Sequence, residues 1–332
     1  MKKSIVTSLL LITILSCPVQ SQPVLQNTKY FEFYNEYWIN LHHFLYQKAK
    51  GSQLSKLEED RMDFLDIGED AVILNTEEDK VIKKAVFYYK KNLVSKRLRS
   101  ELGDIRVWLQ QQASKKIITD TTFSSAFTNI LNEASDVYRL KYWAIHKEVN
   151  VNTLDNHIET IRSIESVIIS KMEKMARYKW PKGTKVRVDL TVYANYAGAY
   201  TATRPKMNIV LSTIDPLNNT SDFIETIFHE GSHILYNYQD SPFREEIFYQ
   251  AKEMGMNFPR NLWHASLSYL CGRATQDALK NLSIDHKLDM DVRNIFIAYN
   301  TKEFRNILEK YYQGKIDMTN TVSQLLSDLK NK

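Results

Sequence analysis

Two histidines and a glutamate lie close together in the stretch His229-Glu230-Gly231-Ser232-His233. If this stretch is helical, the two imidazoles lie one turn apart on one face and can bind the same metal ion. Zn²⁺ suits imidazole ligands and leaves a position open for water, whose pKa it lowers to about 7. Glu230 beside the pair could accept a proton from that water and later return it to a leaving group. The pattern therefore predicts metal-assisted hydrolysis.

A third metal ligand is expected downstream of the motif, and the sequence offers two candidates. His264 opens a second helical pattern and lies at the margin of its apolar stripe. Glu253 follows His233 by 20 positions, but it lies opposite the apolar stripe of its own segment, which is typical of a solvated carboxylate. We therefore predict that His264 completes the site with His229 and His233, and keep Glu253 as the alternative.

The motif is predicted to lie on a helix that covers residues 222–238. Asp222 and Glu225, three positions apart, resemble the capping box that starts a helix. The apolar residues that recur at helical period are Phe223, Ile224, Ile227, Phe228, Ile234, Leu235 and Tyr238. At about 100° per residue, His229 and His233 fall within roughly 40° of each other and opposite this stripe. The two imidazoles are therefore expected on one polar face.

A small sheet is predicted immediately before this helix. From residue 186 to residue 192 apolar and polar side chains alternate, which is the period of a strand with one buried face. Residues 207–213 are predicted to form a second strand. Helical patterns dominate the rest of the chain, so the predicted fold class is α+β, mostly helical, with a small antiparallel or mixed sheet preceding the motif helix.

The chain divides by sequence pattern into residues 1–21, an N-terminal helical region at 22–180, and a region at 181–332 that holds the motif and the C-terminal helices. Within the helical region the predicted segments are 34–50, 78–98, 102–116, 122–148 and 153–177. The adjacent His42 and His43 would point about 100° apart on a helix, which is typical of core or surface residues rather than of one shared metal site.

The first 21 residues carry the features of a secretory signal peptide. A positive start precedes an apolar run at residues 5–15, which is too short to span a bilayer. The stretch that ends at Cys17 resembles a bacterial lipobox, which would place a lipid on that thiol. The small residues before Gln22 suit ordinary signal cleavage instead. We therefore predict export to the periplasm, the cell surface or the medium, with membrane attachment only through Cys17.

Composition narrows the classes of partner. The chain has 332 residues, of which 43% are hydrophobic and 25% charged, as in ordinary globular proteins, and its 9 Gly and 7 Pro argue against a turn-rich all-β fold. The net charge of +5 is spread without a basic stripe, so nucleic-acid binding is not expected. Once Cys17 is removed or lipidated, Cys271 has no disulfide partner and is assigned to the core.

The order of strand, extended loop, strand and helix with His-Glu-x-x-His resembles the zincin metallopeptidase superfamily. The resemblance covers residues 186–281, and the Leu-Trp-His-Ala stretch around His264 together with residues 197–201 is similar to exported bacterial zincin-like proteins. It implies that the region 181–332 is catalytic and that Zn²⁺ is held by His229, His233 and His264. It also implies a peptide or protein substrate, with Glu230 as the general base.

In zincins an edge strand beside the active-site helix holds an extended peptide by main-chain pairing, and residues 198–201 are the candidate here. A phenol can supplement the metal in stabilising the oxyanion. Tyr193, Tyr196, Tyr200 and Tyr269 are possible donors, and we predict Tyr200. Gly231 departs from the pattern, because that position usually carries a bulky apolar residue. Two alternatives therefore stay open: an inactive zincin-like binding protein, and a metal-free helical envelope interaction module.

Overall fold

A computed structural model describes residues 24–51, 65–96, 101–194, 198–202, 206–236 and 241–331. The signal peptide predicted at residues 1–21, with its lipobox cysteine Cys17, lies outside these ranges. No helix in the described ranges combines the length and the apolar character needed to cross a bilayer.

Helices make up most of the described chain. In chain order they are α1 (Tyr37–Gly51), α2 (Thr76–Asn92), α3 (Glu101–Gln111), α4 (Ser125–Lys141), α5 (Trp143–Asp155), α6 (Ile158–Ala176), α7 (Asp222–Tyr236), α8 (Pro242–Glu253), α9 (Leu262–Lys280), α10 (Asp289–Val292), α11 (Lys302–Tyr312) and α12 (Met318–Lys330). The helix expected over residues 122–148 is interrupted at Tyr142 and forms α4 and α5. The helix predicted over residues 153–177 is divided between the end of α5 and α6. The other predicted helices are confirmed with ends shifted by up to about six residues, and residues 97–98 and 237–238 lie outside the described ranges.

The strands form one mixed sheet. They are β1 (Gln26–Asn27), β2 (Phe31–Tyr34), β3 (Val186–Thr191), β4 (Ala199–Ala202) and β5 (Asn208–Ser212), in the order β1-β2-β3-β5-β4. The inner pairs β2–β3 and β3–β5 are parallel, whereas β1–β2 and β4–β5 are antiparallel. The predicted α+β fold class, with a small mixed sheet before the motif helix, is confirmed.

Two of these strands come from the region that the sequence predicts to be helical. Phe31 of β2 lies opposite Val186 of β3, so the pairing joins positions about 150 residues apart. The four residues of β2 are too few to show a period of their own before α1 begins at Tyr37. In so short a segment, tertiary pairing decides the structure.

Both faces of the sheet are covered by helices. Val186, Val188 and Leu190 of β3 face a large apolar core, whereas Asp189 and Thr191 on the opposite face are also fully buried. The prediction of a half-buried β3 was therefore wrong, because α1 and α5 pack over the polar face.

Two apolar cores result from this arrangement. The first, which we call the sheet core, lies between the sheet and helices α6, α7 and α9, and extends to α8, α11 and α12. The second, the helical core, lies among α1, α2, α3 and α4. Cys271 of α9 is buried in the sheet core with a free thiol, as predicted for a core residue.

Candidate metal centre

The motif helix α7 is fixed by its apolar face. Phe223, Ile227 and Phe228 are completely buried in the sheet core, and α7 also packs against α6 and α9. This packing leaves His229 and His233 on the side of α7 that meets the start of α9. The helix, its bounds and its apolar stripe therefore agree with the prediction over the described residues.

Three histidines converge where α7 meets α9. The ligand nitrogens of His229, His233 and His264 all lie within 4.8 Å of one another. The Nε2 atoms of His229 and His264 are 3.0 Å apart, which is near the spacing of about 3.4 Å expected for two nitrogens bound tetrahedrally to one Zn²⁺. The prediction that these three residues come together is confirmed, and they lie close enough to bind a metal ion.

The surroundings of the cluster keep the His229 ring in the form that binds metal. Burial, with a smaller contribution from neighbouring His264, holds the pKa of His229 well below its usual value. A neutral imidazole results, and neutral imidazole is the metal-binding form. His229 and His233 are buried but His264 is only partly so, which leaves one side of the cluster open toward solvent.

Two aromatic rings pack against the His264 ring. The Trp263 ring stacks on it with centroids 5.0 Å apart, and the Phe296 ring meets it edge-on at 4.8 Å. Phe296 has φ of 56°, a left-handed conformation that costs an L-residue about 1–2 kcal/mol. The loop thus holds a strained aromatic residue against a candidate metal ligand, as is common at functional sites.

Glu230 lies beside the histidines and is held there by the edge strand. Its Oε2 atom is 3.8 Å from Nε2 of His233 and accepts a hydrogen bond of 2.5 Å from the Thr201 hydroxyl. The same hydroxyl lies 3.2 Å from the Glu230 carbonyl oxygen. Thr201 of β4 is therefore a positioning residue that the sequence analysis missed, although it lies in the predicted edge strand.

Tyr200, the predicted oxyanion donor, lies on the other face of the sheet. Tyr200 pairs with Val210, which pairs with Asp189, so its side chain shares the face of Asp189. Its hydroxyl lies 2.9 Å from Nε2 of His43. Because successive strand residues point to opposite faces, Thr201 rather than Tyr200 reaches the motif helix.

The alternative ligand and the remaining tyrosines also lie apart from the histidines. Glu253 is exposed at the last position of α8 and is not in the cluster. The Tyr269 hydroxyl donates to Glu309 at 3.0 Å. Tyr193 packs near Phe44, and Tyr196 lies outside the described residues.

Glu225 has a structural role that the sequence analysis assigned differently. Its carboxylate does not cap α7 but accepts from the Asp289 backbone N–H at 3.0 Å and lies 2.6 Å from Nε2 of His286. Arg293 pairs with both Asp289 and Asp215. This buried polar network ties α7 to the segment after α9, across more than 60 positions that no local pattern connects.

The structure gives a physical reason for glycine inside the motif. A Cβ atom built on Gly231 would lie 2.7 Å and 2.8 Å from two atoms of the Phe31 ring. Phe31 is completely buried in β2, and its ring packs against Trp180 and Phe228. The ring thus occupies the space that a larger side chain at position 231 would fill.

Replacing Gly231 with alanine should therefore destabilise the protein by about 1–3 kcal/mol, the usual cost of overpacking, despite the better helix propensity of alanine. Chemical denaturation measures the change in the free energy of unfolding. The Phe31→Leu background is the matched control, because a smaller side chain there should reduce the penalty of Gly231→Ala. An equal penalty in both backgrounds would show that the Phe31 ring is not its cause.

Comparisons with protein-family models, with curated proteins and with solved structures give no match in any of the three. The function of this protein must therefore be inferred from its sequence and from the geometry of this site.

Proposed function

We propose that this protein is an exported zinc-dependent hydrolase, and more specifically a peptidase of the zincin superfamily. The observation that carries the proposal is the convergence of His229, His233 and His264 with the Glu230 carboxylate beside them. Export is proposed from the sequence of residues 1–21 alone.

Zn²⁺ fits this donor set better than other divalent ions. Three imidazoles with an open position are a common catalytic zinc arrangement, whereas Mg²⁺ and Ca²⁺ prefer oxygen ligands. When bound, the ion would supply a water of lowered pKa and polarise the substrate carbonyl.

The chain's own residues would move the proton. Glu230 lies next to the three histidines without belonging to their cluster, and its carboxylate would accept a proton from the attacking water and return it to the leaving amine. The Thr201 hydroxyl holds Oε2 of Glu230 and so fixes the direction of the carboxylate. A base held in position loses less freedom when the substrate binds.

The edge strand supports a peptide as the substrate. β4 is the last strand of the sheet and pairs antiparallel with β5, so in the described part of the chain its outer edge is available for another strand. An extended peptide could pair with that edge by main-chain hydrogen bonds and pass close to Glu230, which Thr201 already links to β4.

Gly231 does not weigh against hydrolysis. The departure from the zincin pattern at this position is accounted for by the Phe31 ring, which fills the same space from β2. Gly231 therefore does not distinguish a hydrolase from the two alternatives, an inactive zincin-like binding protein and a metal-free helical module. Measurements of metal content and hydrolysis distinguish them.

Metal content and its removal test the proposal. Protein purified without added metal should contain about one zinc per chain. Hydrolysis of a peptide library should be abolished by a chelator and restored by Zn²⁺. Zinc without hydrolysis would favour the inactive binding protein. No zinc, together with unchanged stability of His229→Ala, would contradict the proposal.

A further inference from the structure

Arg106 of α3 is a buried cation that forms no hydrogen bond or ion pair with the described residues. The residue is 1% exposed, and its Nε, Nη1 and Nη2 atoms have no hydrogen-bond acceptor among the described residues. An unpaired charge inside a protein is strongly unfavourable, and buried guanidinium groups are normally paired. Such a group is therefore expected to have a partner other than the described residues of the chain.

Arg106 interacts electrostatically with the neutral Tyr200 hydroxyl, and none of the described side chains around it supplies a free anion. Its Cζ atom lies 5.5 Å from the centre of the Tyr200 ring. Nδ1 of His43 is 2.9 Å from the Ile39 carbonyl oxygen and must donate to it, so Nε2 accepts from the Tyr200 hydroxyl. Burial lowers the pKa of His43 to about 4; the bond to Ile39 opposes the fall, and Arg106 adds to it. His43 is thus neutral at physiological pH.

The carboxylate on this face of β3, that of Asp189, already accepts hydrogen bonds from other side chains. Both oxygens of Asp189 accept hydrogen bonds: Oδ1 from Arg187, and Oδ2 from Gln110 and Asn208. Gln110 lies one helical turn after Arg106 on α3, so the two side chains point toward the same face of the sheet. The turn of α3 next to Arg106 therefore reaches the sheet and is hydrogen-bonded there through Gln110, whereas the guanidinium of Arg106 has no such bond to the described residues.

The location of Arg106 connects it with the edge strand. Tyr200 is only partly buried and lies beside Thr201, which contacts Glu230 from the opposite face. A peptide paired along β4 would have successive side chains on opposite faces, one toward Glu230 and the next toward Tyr200 and Arg106. A negative group on that second position, or at the end of the peptide, would meet the unpaired cation.

We propose that Arg106 binds a carboxylate of the substrate and selects peptides that carry one next to the position at the metal. The proposal rests on the proposed function for its link to a substrate. The carboxylate could belong to an acidic side chain or to the C-terminus of the peptide, and a guanidinium pairs with either through two parallel hydrogen bonds.

The first experiment needs no activity. Acetate should raise the melting temperature of the wild-type protein in a saturable way, by about 2–4 °C if its binding contributes about 1 kcal/mol, and more than chloride does at equal ionic strength. Arg106→Met should abolish this response. Arg106→Met should also melt no lower than wild type without acetate, because it removes an unpaired buried charge. Arg139→Met is the control, since Arg139 is exposed and lies over the Tyr37 ring.

An unchanged acetate response in Arg106→Met would overturn the proposal. A lower melting temperature of that variant in the absence of acetate would do the same, because it would show that Arg106 stabilises the fold. An equal response to chloride and acetate would overturn the assignment to a carboxylate.

The second experiment identifies the source of the carboxylate. Peptides of one sequence are compared with a free C-terminus, with an amidated C-terminus, and with glutamate replaced by glutamine. With the wild-type protein, the peptide that lacks the required carboxylate should have a kcat/KM about 10- to 100-fold lower than the peptide that carries it. With Arg106→Met, the two peptides should have the same kcat/KM. Equal rates for all three peptides would contradict the proposal. If no peptide is hydrolysed, the proposed function fails, and the link of Arg106 to a substrate fails with it, whereas the melting experiment still decides whether Arg106 binds an anion.

Discussion

Glu230→Gln should retain the metal and lower kcat/KM by about 10²- to 10⁴-fold, the usual contribution of a general base. Glutamine has nearly the same shape and can still interact with the Thr201 hydroxyl, which contacts Oε2 of Glu230. It cannot accept the proton of the attacking water, so the rate of the chemical step should fall while zinc binding stays unchanged. Steady-state kinetics on a cleaved peptide, with zinc content measured on the same samples, separate the two effects.

The matched control for that variant is Glu253→Gln. Glu253 is an exposed carboxylate at the end of α8, so its replacement should change neither zinc content nor rate. Full activity of Glu230→Gln would refute the proposed role of the carboxylate. Loss of zinc from Glu230→Gln would instead indicate that the carboxylate acts on the metal site itself.

His264→Ala should lower the affinity for zinc by more than the 10- to 100-fold that follows loss of an outer-shell partner, because a direct ligand is removed. His264 is the best of the three histidines for this test. It lies in the first turn of α9 and is only partly buried, so its truncation disturbs the core less than loss of His233, which is 3% exposed. Competition with a chromogenic chelator measures the affinity.

Glu253→Ala provides the comparison for the third ligand, since both residues were candidates from the sequence. We expect the affinity of Glu253→Ala for zinc to equal that of wild type, because its carboxylate is exposed and outside the histidine cluster. Unchanged affinity in His264→Ala would mean that the third ligand has been assigned to the wrong residue.

The motif helix and its histidines were predictable because their signals are local. An apolar stripe of period 3.6 defines α7, and two histidines four positions apart on it must share a face. His264 was less predictable. The sequence indicates that it lies in the first turn of α9, but no local pattern shows that α9 packs beside the histidines of α7.

The features that the sequence analysis missed depend on contacts between distant positions. The Phe31 ring on β2 contacts Gly231 on α7, and Glu225 on α7 contacts His286 in the segment after α9. The register of β4 against β5 decides that Thr201, rather than Tyr200, faces the motif helix, and this register is set only when the two strands pair. Nothing in the sequence around Arg106 distinguishes it from a solvated arginine on an amphipathic helix.

The parallel pairing of β2 with β3 has a consequence for the order of assembly during synthesis. Phe31 meets Val186, 155 positions later, so at about 5–20 residues per second roughly 8–30 s pass between the synthesis of β2 and that of its partner strand. Phe31 and Phe33, which are completely buried in the folded protein, lack β3 as a partner during that interval. Since α7 rests its Gly231 against Phe31, the histidines reach their final places only after this late closure.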